Sequence, residues 1–260
     1  MSRLERPLSL VPFGYLLVSR IRSPLELAYL AGSSWVPAWW LLARLGEMGP
    51  FEALIHFAAG YVAFISCYEM GYLTNDSWDA RRSSDGRQRI AFGVTPAYVA
   101  IFVAIRVAAW LAVGIGTGWI GQPAWLFGYL ALAAVFTLHN AIQAPGLRIA
   151  TFLQLSLLRF LLPIVGGLQT STYLIALSVA FLFYSTFRLL SYLDSKDLLR
   201  MSGRKSGRFL LAFVAIEAPL ALYLCLLVRS SVIAEMLVYY CLLYAVIALR
   251  DVSSAAAATD

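Results

Sequence analysis

Four of the chain's 14 acidic residues fall in two Asp-Ser-x-Asp clusters, Asp76-Ser77-Trp78-Asp79 and Asp194-Ser195-Lys196-Asp197. Each follows a Tyr-Leu pair at the end of a long apolar run. On a helix, a spacing of three puts both carboxylates of a cluster on one face, a turn apart. Glu69, Tyr72, Asp76 and Asp79 extend the first cluster into a stripe that runs back into the apolar segment. Carboxylates there are expensive and point to function. Several converging at one mouth repel each other unless cations lie between them. Oxygen donors without His or Cys partners select Mg2+ or Mn2+, and Mg2+ is usually shared among a few carboxylates, waters and substrate phosphates. Arg81, Arg82, Arg89, Lys196, Arg200, Arg204 and Lys205 surround the acids. Carboxylates for a metal beside cations for free phosphate oxygens describe a diphosphate site. The plainer alternative, acids and bases that merely solvate helix ends, accounts for one cluster better than for two.

Such groups need elements to position them. The chain has 260 residues, 61% hydrophobic and 13% charged, with a mean hydropathy of +0.76. A water-soluble domain of this length would need far more polar surface. The apolar material falls into runs of the length that crosses a ~30 Å hydrocarbon layer as helix. Eight spans are expected, at 24–45, 51–74, 95–117, 122–141, 149–169, 172–193, 208–229 and 232–250. The fold class is therefore an all-α polytopic membrane protein, a single domain over 1–260. Before the first span, LSLVPFGYLLVSRIR reads as an amphipathic helix half-buried at the interface. The first residues lack the pattern of a cleavable signal peptide.

Charge orients the bundle. Arg3, Arg6, Arg20, Arg22, the arginines between 81 and 89, Arg148, the loop from Lys196 to Arg208, and Arg250 all fall on one side of an eight-span chain. Only Arg44 and Arg229 fall on the other. The excess of basic residues places both termini and both clusters in the cytoplasm, with the chain in a bacterial-type cytoplasmic membrane. The net charge of +6 thus serves topology rather than nucleic-acid binding. The clusters recur after four spans at matching positions, so two four-helix halves, about 1–146 and 147–260, are expected around a central cavity. Within the spans, Arg106, Arg159, Arg188, Glu217 and Glu235 either line that cavity or form interhelical ion pairs, with Glu217 expected to pair with an arginine. Cys67, Cys225 and Cys241 lack metal-ligand spacing and read as packing residues. His56 and His139 are lone imidazoles.

On these residues the chain resembles the UbiA family of intramembrane prenyltransferases. Asn75, Asp76 and Asp79 match the first three positions of that family's Asn-Asp-x-x-Asp-x-x-x-Asp motif, and Ser83 stands where its last Asp would be, with Asp85 two residues on. In the family's second motif, Asp-x-x-x-Asp, Asp194 matches, while Asp197 comes one residue early and Leu198 occupies the expected place. Asn140, Pro145 and Arg148 fall near a further family pattern, and the usual ninth helix is lacking. The resemblance implies a prenyl group moved from a prenyl diphosphate to an aromatic or other lipophilic acceptor. It implies Mg2+ on Asn75, Asp76, Asp79, Asp194 and Asp197, with Asp76, Asp79 and Asp194 central to catalysis. The diphosphate would meet Asn75, Arg82, Arg89, Lys196, Arg204 and Lys205. A terpene cyclase or a polyprenyl-phosphate phosphoribosyltransferase would use the same parts. A transporter is the alternative from another class, although its charges would gather nearer the bilayer midplane.

Overall fold

The computed structural model describes residues 5–79, 90, 92–204 and 206–256. Helices account for almost all of them, and no strand occurs among the described residues. Proline stands in the first turn of helices beginning at Pro24, Pro50, Pro96, Pro123 and Pro145. Its fixed φ suits a helix start, where its missing N–H costs no hydrogen bond. The side chains of Ser23, Thr95 and Ser206 accept the backbone N–H of the residue three positions on, capping their helices.

Two short helices open the chain, α1 (Glu5–Leu8) and α2 (Gly14–Ser19). Next, α3 (Pro24–Leu30) continues through a π turn, Ala31–Trp35, into α4 (Val36–Leu45). The long α5 (Pro50–Thr74) ends in a second π turn, Asn75–Asp79. Then come α6 (Pro96–Gly116), α7 (Pro123–Ala141) and α8 (Pro145–Leu161). A third π turn, Ala180–Ser185, joins α9 (Tyr173–Val179) to α10 (Thr186–Ser195), and α11 (Gly207–Leu227) and α12 (Val232–Ala256) complete the chain. Among the described residues, six segments are long and apolar enough to cross a membrane: Pro50–Ser77, Pro96–Gly116, Pro123–Ala141, Thr170–Ser195, Gly207–Leu227 and Val232–Ser253. Their outward faces carry exposed Ile101, Phe127, Leu130, Ile216, Leu226 and Val246. Helices apolar on the outside as well as the inside belong in lipid. The protein is an all-α, multi-pass membrane protein.

The helices close into a ring. α4 packs on α5, α5 on α7, α7 on α8, and α8 on α10 and the third π turn; α9 packs on α12, and α12 returns to α4. α6 lies against α5 and α11 against α12. A π turn inserts an extra residue and releases carbonyls from the α ladder. In the first of these turns, the carbonyls of Gly32 and Ser33 accept the hydroxyls of Tyr239 (2.7 Å) and Tyr240 (2.8 Å) from α12. The defect in one helix thus becomes the staple that closes the ring. Across it, Gly60 of α5 abuts the carbonyl of Pro163 so closely that a Cβ would overlap that oxygen. Backbone cannot yield as a side-chain tip would, so Gly60→Val is expected to cost about 1–3 kcal/mol or more. Thermal unfolding of the purified variant in detergent would show it.

The opening segment, expected as one amphipathic helix, forms two short helices in a strap whose inner face folds into the bundle, with Ser9 and Tyr15 fully buried and Leu16 nearly so, while Leu8 and Val11 stay exposed. The reason is a pair of charges that need it. Arg106 of α6 and Glu69 of α5 form an ion pair (2.6 Å) with neither side chain exposed. Arg106 also donates to the carbonyls of Ser9, Leu10 and Val11, and Glu69 accepts the backbone N–H of Leu16 (2.7 Å). Buried charges require all these partners, and the strap's unpaired backbone groups supply them.

Candidate functional site

The site follows from the stripe on α5. Glu69, Tyr72 and Asp76 face the strap, and each meets one of its residues. Glu69 holds Leu16, and the guanidinium of Arg20 lies over the Tyr72 ring, 4.4 Å from its centre. Asp76 accepts hydrogen bonds from the Tyr15 hydroxyl (2.9 Å) and from Arg20 Nη2 (2.8 Å). Asp76 is only 4% exposed. Burial, then the neighbouring Asp76 charge and its hydrogen bond, raise the Tyr15 hydroxyl above the ordinary tyrosine range. An unfolded tyrosine loses its proton near pH ~10, whereas the folded protein keeps this one. The contribution is therefore intact below that pH and lost as pH rises beyond it. Stability measured in detergent is expected to fall more steeply above about pH 10 in the wild type than in Tyr15→Phe.

Beside this cluster lies a cavity of about 250 Å3. Leu16, Arg20 and Ile21 of the strap line it, with Tyr72 of α5, Arg159 of α8, Tyr184 of the third π turn, Arg188 of α10 and Tyr244 of α12. Three guanidinium groups thus share one space. Arg159 donates to the Tyr72 hydroxyl (3.0 Å). No carboxylate among the described residues pairs with Arg159 or Arg188. Glu26 also lines the space, but it is exposed and accepts the backbone N–H of Arg22. Several buried polar groups here lack any hydrogen-bond partner: Nε and Nη1 of Arg20, Nε of Arg188 and the hydroxyl of Tyr184. Buried donors in a folded protein are nearly always satisfied, so a group of orphans marks a place for something else. Guanidinium forks and phenols select an anion, and phosphate oxygens suit them best. At ~300–1,000 Å3 for typical ligand pockets, this space fits a compact headgroup, not a whole lipid.

The residues expected from sequence are placed differently. Asn75 and Asp76 lie in a π turn, where the backbone departs from the α-helical repeat. The helix carrying Asp194 ends at Ser195, and Asp197 sits beyond it with φ 55°, exposed. Asp194 and Asp197 therefore share no helical face. Asp194 accepts the Met201 backbone N–H (2.8 Å) and pairs with Arg204 Nε (2.5 Å), which folds the following loop back onto the helix end. Lys196 is exposed. Arg82, Arg89, Lys205 and the side chain of Asp79 lie outside the described residues. The described carboxylates do not fit a resident Mg2+. Both oxygens of Asp76 and both of Asp194 are engaged, and no group of three His, Cys, Asp or Glu could hold an ion among the described residues.

Other expectations divide. Arg159 and Arg188 line the cavity, and Glu235 pairs with Arg44 (2.9 Å). Glu217 forms no ion pair with an arginine among the described residues and is only partly buried on α11. Sequence reasoning missed Arg20, which counted only as a topological charge, and Tyr184 and Tyr244, which looked like two more aromatics among many. The one available signal was Arg20 following the apolar Tyr15–Val18 run, a cation at the end of a segment that the bundle buries.

Fold and site together define a multi-pass helical membrane protein with an arginine- and tyrosine-lined cavity. No family model, curated protein or solved structure matches the chain.

Proposed function

We propose that this protein is an intramembrane prenyltransferase, which moves a prenyl group from a prenyl diphosphate to a lipophilic acceptor. The observation that carries the reading is the cavity in which Arg20, Arg159 and Arg188 converge, with unsatisfied donors on Arg20 and Arg188. The diphosphate head occupies that space, and its charge satisfies the three guanidinium groups. As the allylic C–O bond breaks, negative charge grows on the departing pyrophosphate, and fixed donors in a water-poor site stabilise it. The allylic cation is shielded by Phe183, Tyr184 and Phe187, which line the same cavity; aromatic faces attract cations. The acceptor forms its new bond to the cation and gives up one proton. The prenyl tail, too long for the cavity, leaves between helices toward lipid.

The ring of helix contacts supports eight spans in two halves. α4 meets α5 as α8 meets α9 and α10; α5 meets α7 as the third π turn and α9 meet α12. With the excess of basic residues on one side, both termini and the cavity face the cytoplasm. Binding of dimethylallyl, geranyl and farnesyl diphosphate to the detergent-purified protein tests the reading. Arg188→Gln is expected to weaken binding roughly tenfold, since a charge-assisted contact to phosphate is worth about 1.5–3 kcal/mol. Affinity that is the same for inorganic pyrophosphate and for every prenyl diphosphate would leave the prenyl group without a role. Affinity indifferent to Arg188 would move the site elsewhere.

A further inference from the structure

Asp76 begins the motif that resembles a metal-binding sequence, yet its surroundings are those of a group that aims an arginine. Its Oδ1 holds Arg20 Nη2 at 2.8 Å, and its Oδ2 is held by the buried Tyr15 hydroxyl at 2.9 Å. The remaining donors of Arg20, Nε and Nη1, are buried and free. A guanidinium carries five N–H groups in a rigid fork, so one edge can be anchored while another meets a ligand. Here one edge is fixed by a carboxylate that is itself fixed, the face rests on Tyr72, and the rest lines the cavity.

We infer that Asp76 is a positioning residue for Arg20, and that a guanidinium cluster, rather than a divalent cation, holds the diphosphate. This rests on the prenyl diphosphate reading of the cavity. It follows from how the charges are disposed. Three arginines face the space; the one carboxylate among its described lining residues, Glu26, is exposed and accepts the backbone N–H of Arg22, and Asp76, which holds Arg20 from behind, has both oxygens occupied. A Mg2+ bound to Asp76 would have to displace Arg20 and add its charge beside Arg159. An arriving diphosphate meets no such cost, since its oxygens take the N–H groups left unpaired. Arg20 belongs to the strap, so the same contact that aims it also closes the cavity with the N-terminal segment. The site is complete only when the strap is seated.

Farnesyl diphosphate binding to the full-length protein in detergent, in EDTA and in millimolar MgCl2, separates the possibilities. The wild type is expected to bind equally well in both media. Arg20→Gln is expected to lose roughly tenfold in affinity, and Asp76→Asn, which keeps an acceptor for Tyr15 but loses the ion pair, several-fold, in both media alike. The double variant should bind no more weakly than Arg20→Gln alone, because residues acting through one another are not additive. A residue with only a general structural role would give additive losses. Binding that requires MgCl2, with Asp76→Asn weakening it only in that medium, would make Asp76 a metal ligand and overturn the inference while keeping the prenyl diphosphate reading. Wild-type protein that binds farnesyl diphosphate in neither medium overturns both.

Discussion

Methionine in place of Arg106 is expected to cost about 3–5 kcal/mol, the penalty for breaking a buried ion pair by removing one partner. Neither Arg106 nor Glu69 has side-chain exposure, so the stranded Glu69 charge has no route to water. The loss exceeds the pair itself. The carbonyls of Ser9 and Leu10 lose the donor Arg106 gives them, and that of Val11 keeps only the Gly14 N–H; a buried carbonyl without a partner costs free energy of its own. For that reason Glu69→Leu with Arg106→Met is not expected to regain wild-type stability, although hydrophobic replacement of an isolated buried pair often does. The consequence is local as well as global. With the clasp gone, the strap leaves its seat, and Arg20, whose side chain is only 12% exposed, becomes open to trypsin. Limited proteolysis in detergent should show a new cut after Arg20 in Arg106→Met and none in the wild type. A variant as stable as the wild type, with the same cleavage pattern, would mean that the strap is held by its apolar contacts alone.

Arg159→Met is expected to separate binding from stability. Arg159 is almost fully buried, bonded to the Tyr72 hydroxyl and lying near the Tyr68 ring, with no carboxylate partner among the described residues. In the ligand-free protein it shares its space with two other guanidinium groups, and like charges in a poorly solvated site repel. Methionine fills similar volume without that charge. The melting temperature of the ligand-free variant is therefore expected to equal or exceed that of the wild type, the pattern expected where a site is built for function at some cost in stability. Affinity for prenyl diphosphate should move the other way, by roughly a hundredfold, as when one partner of a desolvated charge pair is removed. Thermal unfolding and ligand titration on the same preparation measure both. A variant that melts far below the wild type would assign Arg159 to structure, with Tyr72 and Tyr68 as its true partners.

The sequence by itself determined the solvent. With 61% hydrophobic residues arranged in continuous membrane-length runs, the chain had to become helices with apolar outer faces, because such runs satisfy their backbone in lipid as helix, whereas a closed barrel calls for shorter alternating strands. It also determined that α5 carries a polar stripe, since Glu69, Tyr72 and Asp76 recur at helical spacing in an apolar context. Arg159 and Arg188 were visible for the same reason: a charge within a span must meet something. What the stripe meets was decided only by tertiary structure. A spacing of three or four says which residues share a face, not what packs against it, and here the partner is a strap some fifty residues away whose amphipathic pattern fitted a membrane surface equally well. The π turns were invisible too. They shift the facing of Asp76 and Tyr184 by an inserted residue, which no α-helical period reports. An aspartate motif specifies acceptor oxygens, and both Mg2+ and guanidinium groups bind such oxygens. Asp76 meets Arg20 and Asp194 meets Arg204 in the folded protein, and the first of these pairs depends on how the strap is seated, which no aspartate spacing reports.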